Sequence, residues 1–188
     1  WNFQLSNHWM ESLDYRHDRI HTNSKIARAT EDGAIRLWNL EINSSVLLKC
    51  DERQRHRNTI SCIHGCRWKD AEFLLAGCYD GKISIWEISE KKASGGGNSH
   101  SSTIFPQLRQ VIDNTRIDKE PSRQNTGDEV LVLHFWENES NNEGQILVGG
   151  NNTSIQAYSI RTGLLEKQMS GHEDSVTCMT IDGNLLFT

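Results

Sequence analysis

Long apolar runs are missing from this chain. None approaches the roughly 20 residues that a membrane-spanning helix needs, so no membrane partner is expected. Basic excess is missing too. The 188 residues carry 20 Lys and Arg against 25 Asp and Glu, a formal charge of −5. Phosphate-backbone binding favours a basic face, so nucleic acid is not an expected partner. There is no disulfide framework. The five cysteines (Cys50, Cys62, Cys66, Cys78, Cys178) are odd in number and irregularly spaced, which predicts free thiols in a reducing, cytoplasmic compartment. The opening Trp1-Asn2-Phe3-Gln4 has neither an initiating Met nor the pattern of a signal peptide. The glycosylation-like triplets at Asn43, Asn138 and Asn151 therefore read as chance matches. With 36% hydrophobic and 24% charged residues, the chain has the balance of a folded domain.

What the chain does have is a repeat. Glu31-Asp32-Gly33-Ala34-Ile35-Arg36-Leu37-Trp38-Asn39 and Tyr79-Asp80-Gly81-Lys82-Ile83-Ser84-Ile85-Trp86-Glu87 are each an Asp-Gly turn, then an alternating strand that closes on Trp. Trp38 and Trp86 lie 48 residues apart (86 − 38), and a fixed period of this size marks a repeat array.

The second copy is the clearest. His56 precedes the strand Ile60–Ile63 by four residues; a polar turn, Arg67–Asp70, then leads to the apolar run Phe73–Cys78. In a fourth copy, His172 precedes Val176 by four residues, and a strand Val176–Ile181 turns at Asp182-Gly183-Asn184 into Leu185–Thr188. The third is degenerate: strands Val130–Phe135, Gln145–Val148, Ser154–Tyr158 and Leu164–Gln168, with Asn152 at the turn and Tyr158 at the Trp position. The first has Lys25–Thr30 as its second strand and Trp9–Tyr15 as its first.

On Gly171-His172 with Asp174, His56, Asp32-Gly33…Trp38 and Asp80-Gly81…Trp86, the chain resembles the WD-repeat family of β-propellers. No copy carries the literal Trp-Asp pair: Asn39, Glu87 and Ser159 follow the aromatic residue. The resemblance implies an all-β fold of four-stranded antiparallel blades around an axis. About three and a half blades are expected, an incomplete ring, at roughly 1–50, 56–112, 128–169 and 172–188. An open ring exposes strand edges, so the chain is expected to belong to a longer polypeptide.

The resemblance also implies a buried hydrogen-bonded chain in each blade: His, a strand-two hydroxyl, the turn Asp and the Trp. Here that means His56, Asp80 and Trp86; Asp32 and Trp38; and His172 and Thr188. Ala76, Arg28 and Val148 stand where the hydroxyl belongs in copies two, one and three. The chain in copy two is therefore expected to be broken, with water in the gap. These roles are structural, and no catalytic residue is assigned.

Residues 91–127 read as an insert. Its Gly95-Gly96-Gly97 is not followed by Lys-Ser/Thr, so it is no phosphate loop. Thr103–Phe105 and Leu108–Ile112 could supply the fourth strand of copy two. Cys62-Ile63-His64-Gly65-Cys66, with Cys78, has zinc-ligand residue types, but it lies on a strand and across a Gly, and no metal or cofactor is assigned. His17 and His21 have metalloprotease spacing in a polar setting and lack the Glu.

Arg53, Arg55 and Arg57 form the strongest charge cluster. They suit an acidic or phosphorylated protein segment, or else are a solvated loop beside Asp51 and Glu52. The expected function is a non-enzymatic protein–protein scaffold within a multi-subunit assembly. The diverged blades are similar to those of microtubule-associated, axonemal proteins of cilia and flagella. The alternatives are a ubiquitin-ligase substrate receptor, or a propeller attached to a catalytic domain elsewhere in a longer chain.

Overall fold

The computed structural model describes residues 25–29, 33–39, 43–92, 102–114, 129–138 and 142–188. In chain order the strands are β1 (Lys25–Ala29), β2 (Ile35–Asn39), β3 (Ser44–Leu48), β4 (Ile60–Trp68), β5 (Ala71–Cys78), β6 (Lys82–Lys92) and β7 (Ser102–Asp113). They continue as β8 (Val130–Asn138), β9 (Glu143–Gly150), β10 (Ser154–Ser159), β11 (Leu165–Ser170), β12 (Thr180–Asp182) and β13 (Leu185–Phe187). Each strand pairs antiparallel with its sequence neighbour, in four sheets: β1-β2-β3, β4-β5-β6-β7, β8-β9-β10-β11 and β12-β13. Such meanders follow from short alternating strands joined by tight turns.

The sheets stack face to face because their central strands are apolar on both sides. In β6, Ile83 and Ile85 point one way while Ser84 and Trp86 point the other, and all four are buried. The Trp86 face, with Leu74, Ala76, Ile88 and Ile104, meets Ala27, Ile35, Leu37 and Leu48 of the first sheet. The opposite face, with Leu75, Ile83 and Ile85, meets Val130, Ile146, Val148 and Tyr158 of the third. Leu147, Ile155 and Ala157 on the far side of the third sheet meet Val176, Met179 and Leu186. Burying one such aliphatic side chain contributes about 1.5–3 kcal/mol. A typical hydrogen bond contributes about 0.5–1.5 kcal/mol net. Sheet stacking therefore holds the fold.

Trp38 and Trp86 lie on β2 and β6 of successive, face-stacked sheets. The architecture is a partial β-propeller.

Several boundaries differ from the sequence reading. β4 runs on to Trp68, and the turn narrows to Lys69-Asp70, with Lys69 at φ 55°. The two segments proposed as a fourth strand are one strand, β7, which passes through Pro106. Proline is tolerated there because β7 is the outer edge of its sheet, where one side of the strand makes no ladder bonds. In the fourth copy, strand pairing starts only at Thr180, since β13 offers just Leu185, Leu186 and Phe187 as partners. Asp32, the Arg28 side chain, Trp9–Tyr15, His17 and His21 lie outside the described residues.

Candidate functional site

The second blade carries the most complete polar constellation. Its base is the turn between β5 and β6. Gly81 adopts φ 78°, and its N–H donates to the Cys78 carbonyl at 3.0 Å. The Asp80 carboxylate folds back over the turn, with Oδ1 accepting from Lys82 N–H at 3.0 Å. Its other oxygen, Oδ2, accepts from Arg57 N–H at 3.0 Å. Asp80 thereby joins the turn to the loop that precedes β4.

That loop delivers His56, which is 4% exposed. Its Nε2 lies 2.8 Å from Ser84 Oγ. Trp86 Nε1–H donates to the same hydroxyl at 3.0 Å. Ser84 thus links His56 to Trp86. The expectation of a broken chain with a water at Ala76 is corrected: Ala76 is the register partner of Ser84, so the hydroxyl comes from the opposite strand on the same face. The signal was present, because alternation puts Ser84 on the face of Trp86, two residues away.

His56 Nδ1 stands 3.5 Å from Asp80 Oδ1, and it makes no hydrogen bond. The ring is therefore held by Ser84 and faces the carboxylate across a gap. Burial by itself would raise the Asp80 carboxyl. The facing His56 ring, the Arg57 N–H, the Cys78 thiol and the Lys82 N–H outweigh it, holding the carboxyl well below the usual carboxylate range.

The other blades differ. In the third, Asn152 Oδ1 accepts from Ser154 N–H at 3.3 Å and from the Ser154 hydroxyl at 3.0 Å. Ser154 in turn receives Gln156 Nε2 at 3.2 Å and Gln168 Nε2 at 2.9 Å. Tyr158 leaves the blade altogether: its hydroxyl donates to Asn114 Oδ1 at the end of β7. In the fourth, His172 Nε2 and Thr188 Oγ1 are 2.7 Å apart, both residues exposed. In the first, Trp38 is half-buried, and the Arg36 guanidinium lies 6.0 Å from its ring centroid.

Arg53, Arg55 and Arg57 are all exposed. Gln54 N–H and Arg55 N–H both donate to the Asp51 carbonyl, at 2.9 and 3.0 Å, which closes this loop into a tight turn. With Arg57 N–H held by Asp80, the loop backbone is fixed at both ends of the cluster.

Cys62 and Cys66 are buried on β4. Burial pushes the Cys62 thiol up to about 12 and raises Cys66 further. Between them on β4, His64 stacks against His134 of β8, with ring centroids 4.6 Å apart. Among the described residues, the metal-ligating atoms that converge are those of His56, Cys78 and Asp80, within 4.8 Å of one another. The Cys62–Cys66 run does not join them.

Residues 49–87 match the family model "WD domain, G-beta repeat". The chain is 32% identical over 119 residues to the WD repeat-containing protein 91 homolog of Dictyostelium discoideum, covering 62% of this chain and 14% of that protein. It is 23% identical over 115 residues to the U3 small nucleolar RNA-associated protein 4 of Saccharomyces cerevisiae, covering 61% of this chain and 12% of that protein. The chain thus spans only about a seventh of these relatives. Its fold also resembles a chain in the crystal structure of the mitotic checkpoint complex. There the TM-score is 0.56 at 16% identity, over 87% of this chain and 41% of the other. Among the described residues no helix is long and apolar enough to cross a membrane. Blade stacking, the His56–Ser84–Trp86 linkage and the matched repeat agree: residues 49–87 carry a WD repeat, and the chain is similar to WD-repeat proteins in a partial β-propeller fold.

Proposed function

We propose that this chain is a non-enzymatic docking platform that grips an acidic or phosphorylated protein segment through Arg53, Arg55 and Arg57. WD propellers mediate protein–protein contacts in multi-subunit complexes, and this loop supplies a specific means. The observation that carries the reading is a pinned backbone under exposed arginines, with Asp51 closing one turn and Asp80 holding Arg57 N–H. Preorganisation lowers the ordering cost of binding. Guanidinium groups pair bidentately with carboxylate or phosphate.

Fluorescence anisotropy with an acidic peptide and its phosphorylated form tests this. The double substitution Arg55→Glu with Arg57→Glu is expected to weaken binding about tenfold or more, since each charge-assisted bond contributes about 1.5–3 kcal/mol. Unchanged binding refutes the arginine reading. A short single-stranded RNA serves as a control; the charge of −5 disfavours it.

The finer assignment is that the platform serves the microtubule axoneme of cilia or flagella. It rests on the sequence character of the diverged blades and requires co-sedimentation with microtubules. The ubiquitin-ligase receptor reading instead requires capture of a ligase subunit. A propeller carried by an enzyme requires a catalytic domain in a longer chain.

A further inference from the structure

Tyr79 brings an exposed aromatic ring to the arginine end of the second blade; it is 37% exposed. Its N–H donates to the Thr59 carbonyl at 3.1 Å, so Tyr79 lies across from Thr59, two residues after Arg57. Asp80, the residue after Tyr79, holds Arg57 N–H. Diagonal neighbours across a pair of strands stand about 7–8 Å apart, within reach of aromatic and long side chains. Tyr79 and Arg57 therefore share one patch of surface.

The blade does not need tyrosine at this place. The first blade has Glu31 before its Asp-Gly turn. In the third, Asn151 N–H makes the same bond to the Glu129 carbonyl at 3.3 Å, so Asn151 and Glu129 stand where Tyr79 and Thr59 stand in the second. The opposing loop is braced from the first blade as well. A Cβ at Gly33 would stand 2.6 Å from the His56 carbonyl oxygen, so that blade's turn closes directly on the loop. His56 is drawn inward, and Arg55 and Arg57 on either side of it stay at the surface.

We propose, resting on the arginine-platform reading, that Tyr79 sets the specificity of that platform. It takes an apolar side chain two residues along from the acidic or phosphorylated residue that Arg57 grips. Two residues of extended chain span about 7 Å, which matches the spacing of the two sites. Residues two apart also point to the same side of an extended segment. Tyrosine and arginine are the residues that most often dominate binding at interfaces, and a tyrosine ring offers a large contact at little ordering cost. An acidic segment without the apolar residue binds through the arginines alone, and more weakly.

Fluorescence anisotropy of the purified chain with two labelled peptides tests this. One contains Glu-Glu-Glu-Ser-Phe, and the other has Ser in place of Phe. The Phe peptide is expected to bind about 3–10-fold more tightly. Tyr79→Asn installs the third blade's residue, which the turn accepts, and should abolish that advantage while leaving the affinity of the Ser peptide unchanged. Tyr79→Phe should preserve it. Equal affinity of the two peptides for the wild type overturns the proposal, and so does a Phe advantage that survives Tyr79→Asn. Arg55→Glu with Arg57→Glu separates this inference from the platform itself. If that variant weakens both peptides while Tyr79→Asn keeps the Phe advantage, the platform stands and the role of Tyr79 falls. If it weakens neither, both fall.

Discussion

Replacing Ser84 by Ala puts the second blade's polar chain to its sharpest test. Ser84 is 1% exposed, and its hydroxyl has two buried partners, His56 Nε2 at 2.8 Å and Trp86 Nε1 at 3.0 Å. Alanine leaves both without a partner, because neither group reaches water: His56 is 4% and Trp86 3% exposed. An orphaned buried polar group costs about 1–3 kcal/mol, so the pair is expected to lose about 2–6 kcal/mol. With a urea m-value of about 1–3 kcal/mol per molar, the midpoint should fall by about 1–2 M. Equilibrium unfolding followed by tryptophan fluorescence measures this. Ser89→Ala is the control; it removes an exposed bond to the Phe105 carbonyl and should change stability by less than about 0.5 kcal/mol. A Ser84→Ala effect no larger than the control refutes the argument. A second variant asks whether the strand matters. Ala76→Ser added to Ser84→Ala puts a hydroxyl on the register partner, about 5 Å away across the sheet, and should not restore both contacts. Full rescue would show that either strand can supply the hydroxyl.

Other expectations follow from the same packing. Gly150→Ala should destabilise severely or prevent folding, because a Cβ there would stand 1.8 Å from the Glu129 carbonyl oxygen; Gly183→Ala meets open space and should cost only the roughly 1 kcal/mol of a positive-φ alanine, both read by thermal melts. Asp80 has a folded-state pKa below its unfolded value, so it stabilises fully above about pH 4 and loses that contribution as pH falls through the folded value. The stability gap between wild type and Asp80→Asn should therefore close on acidification, and a gap constant from pH 7 to pH 2 refutes the assignment. Cys178 is exposed, so a thiol reagent should label it in the native protein, while Cys62, Cys66 and Cys78 resist until denaturant is added.

The local features were legible in the sequence, because turns and alternation are written in neighbouring residues. The Asp80-Gly81 reversal, the alternation from Lys82 to Trp86 and the repeat itself needed only near neighbours. His56 was found by its fixed distance ahead of the strand at Ile60. Features that join distant residues were not legible. Ser84 replaces the expected strand-two hydroxyl because antiparallel register lays it across from Ala76, on the face that receives His56 from 28 residues away. Tyr158 looked like a substitute for Trp, yet its hydroxyl finds Asn114 in the preceding blade, 44 residues away. His56, Cys78 and Asp80 scatter across the sequence and meet only where a loop, a strand end and a turn close on one point. Periodicity specifies which face a residue shares, and so it yields the blades. Which side chains touch across that face depends on register and sheet stacking, which arise only when the whole array folds.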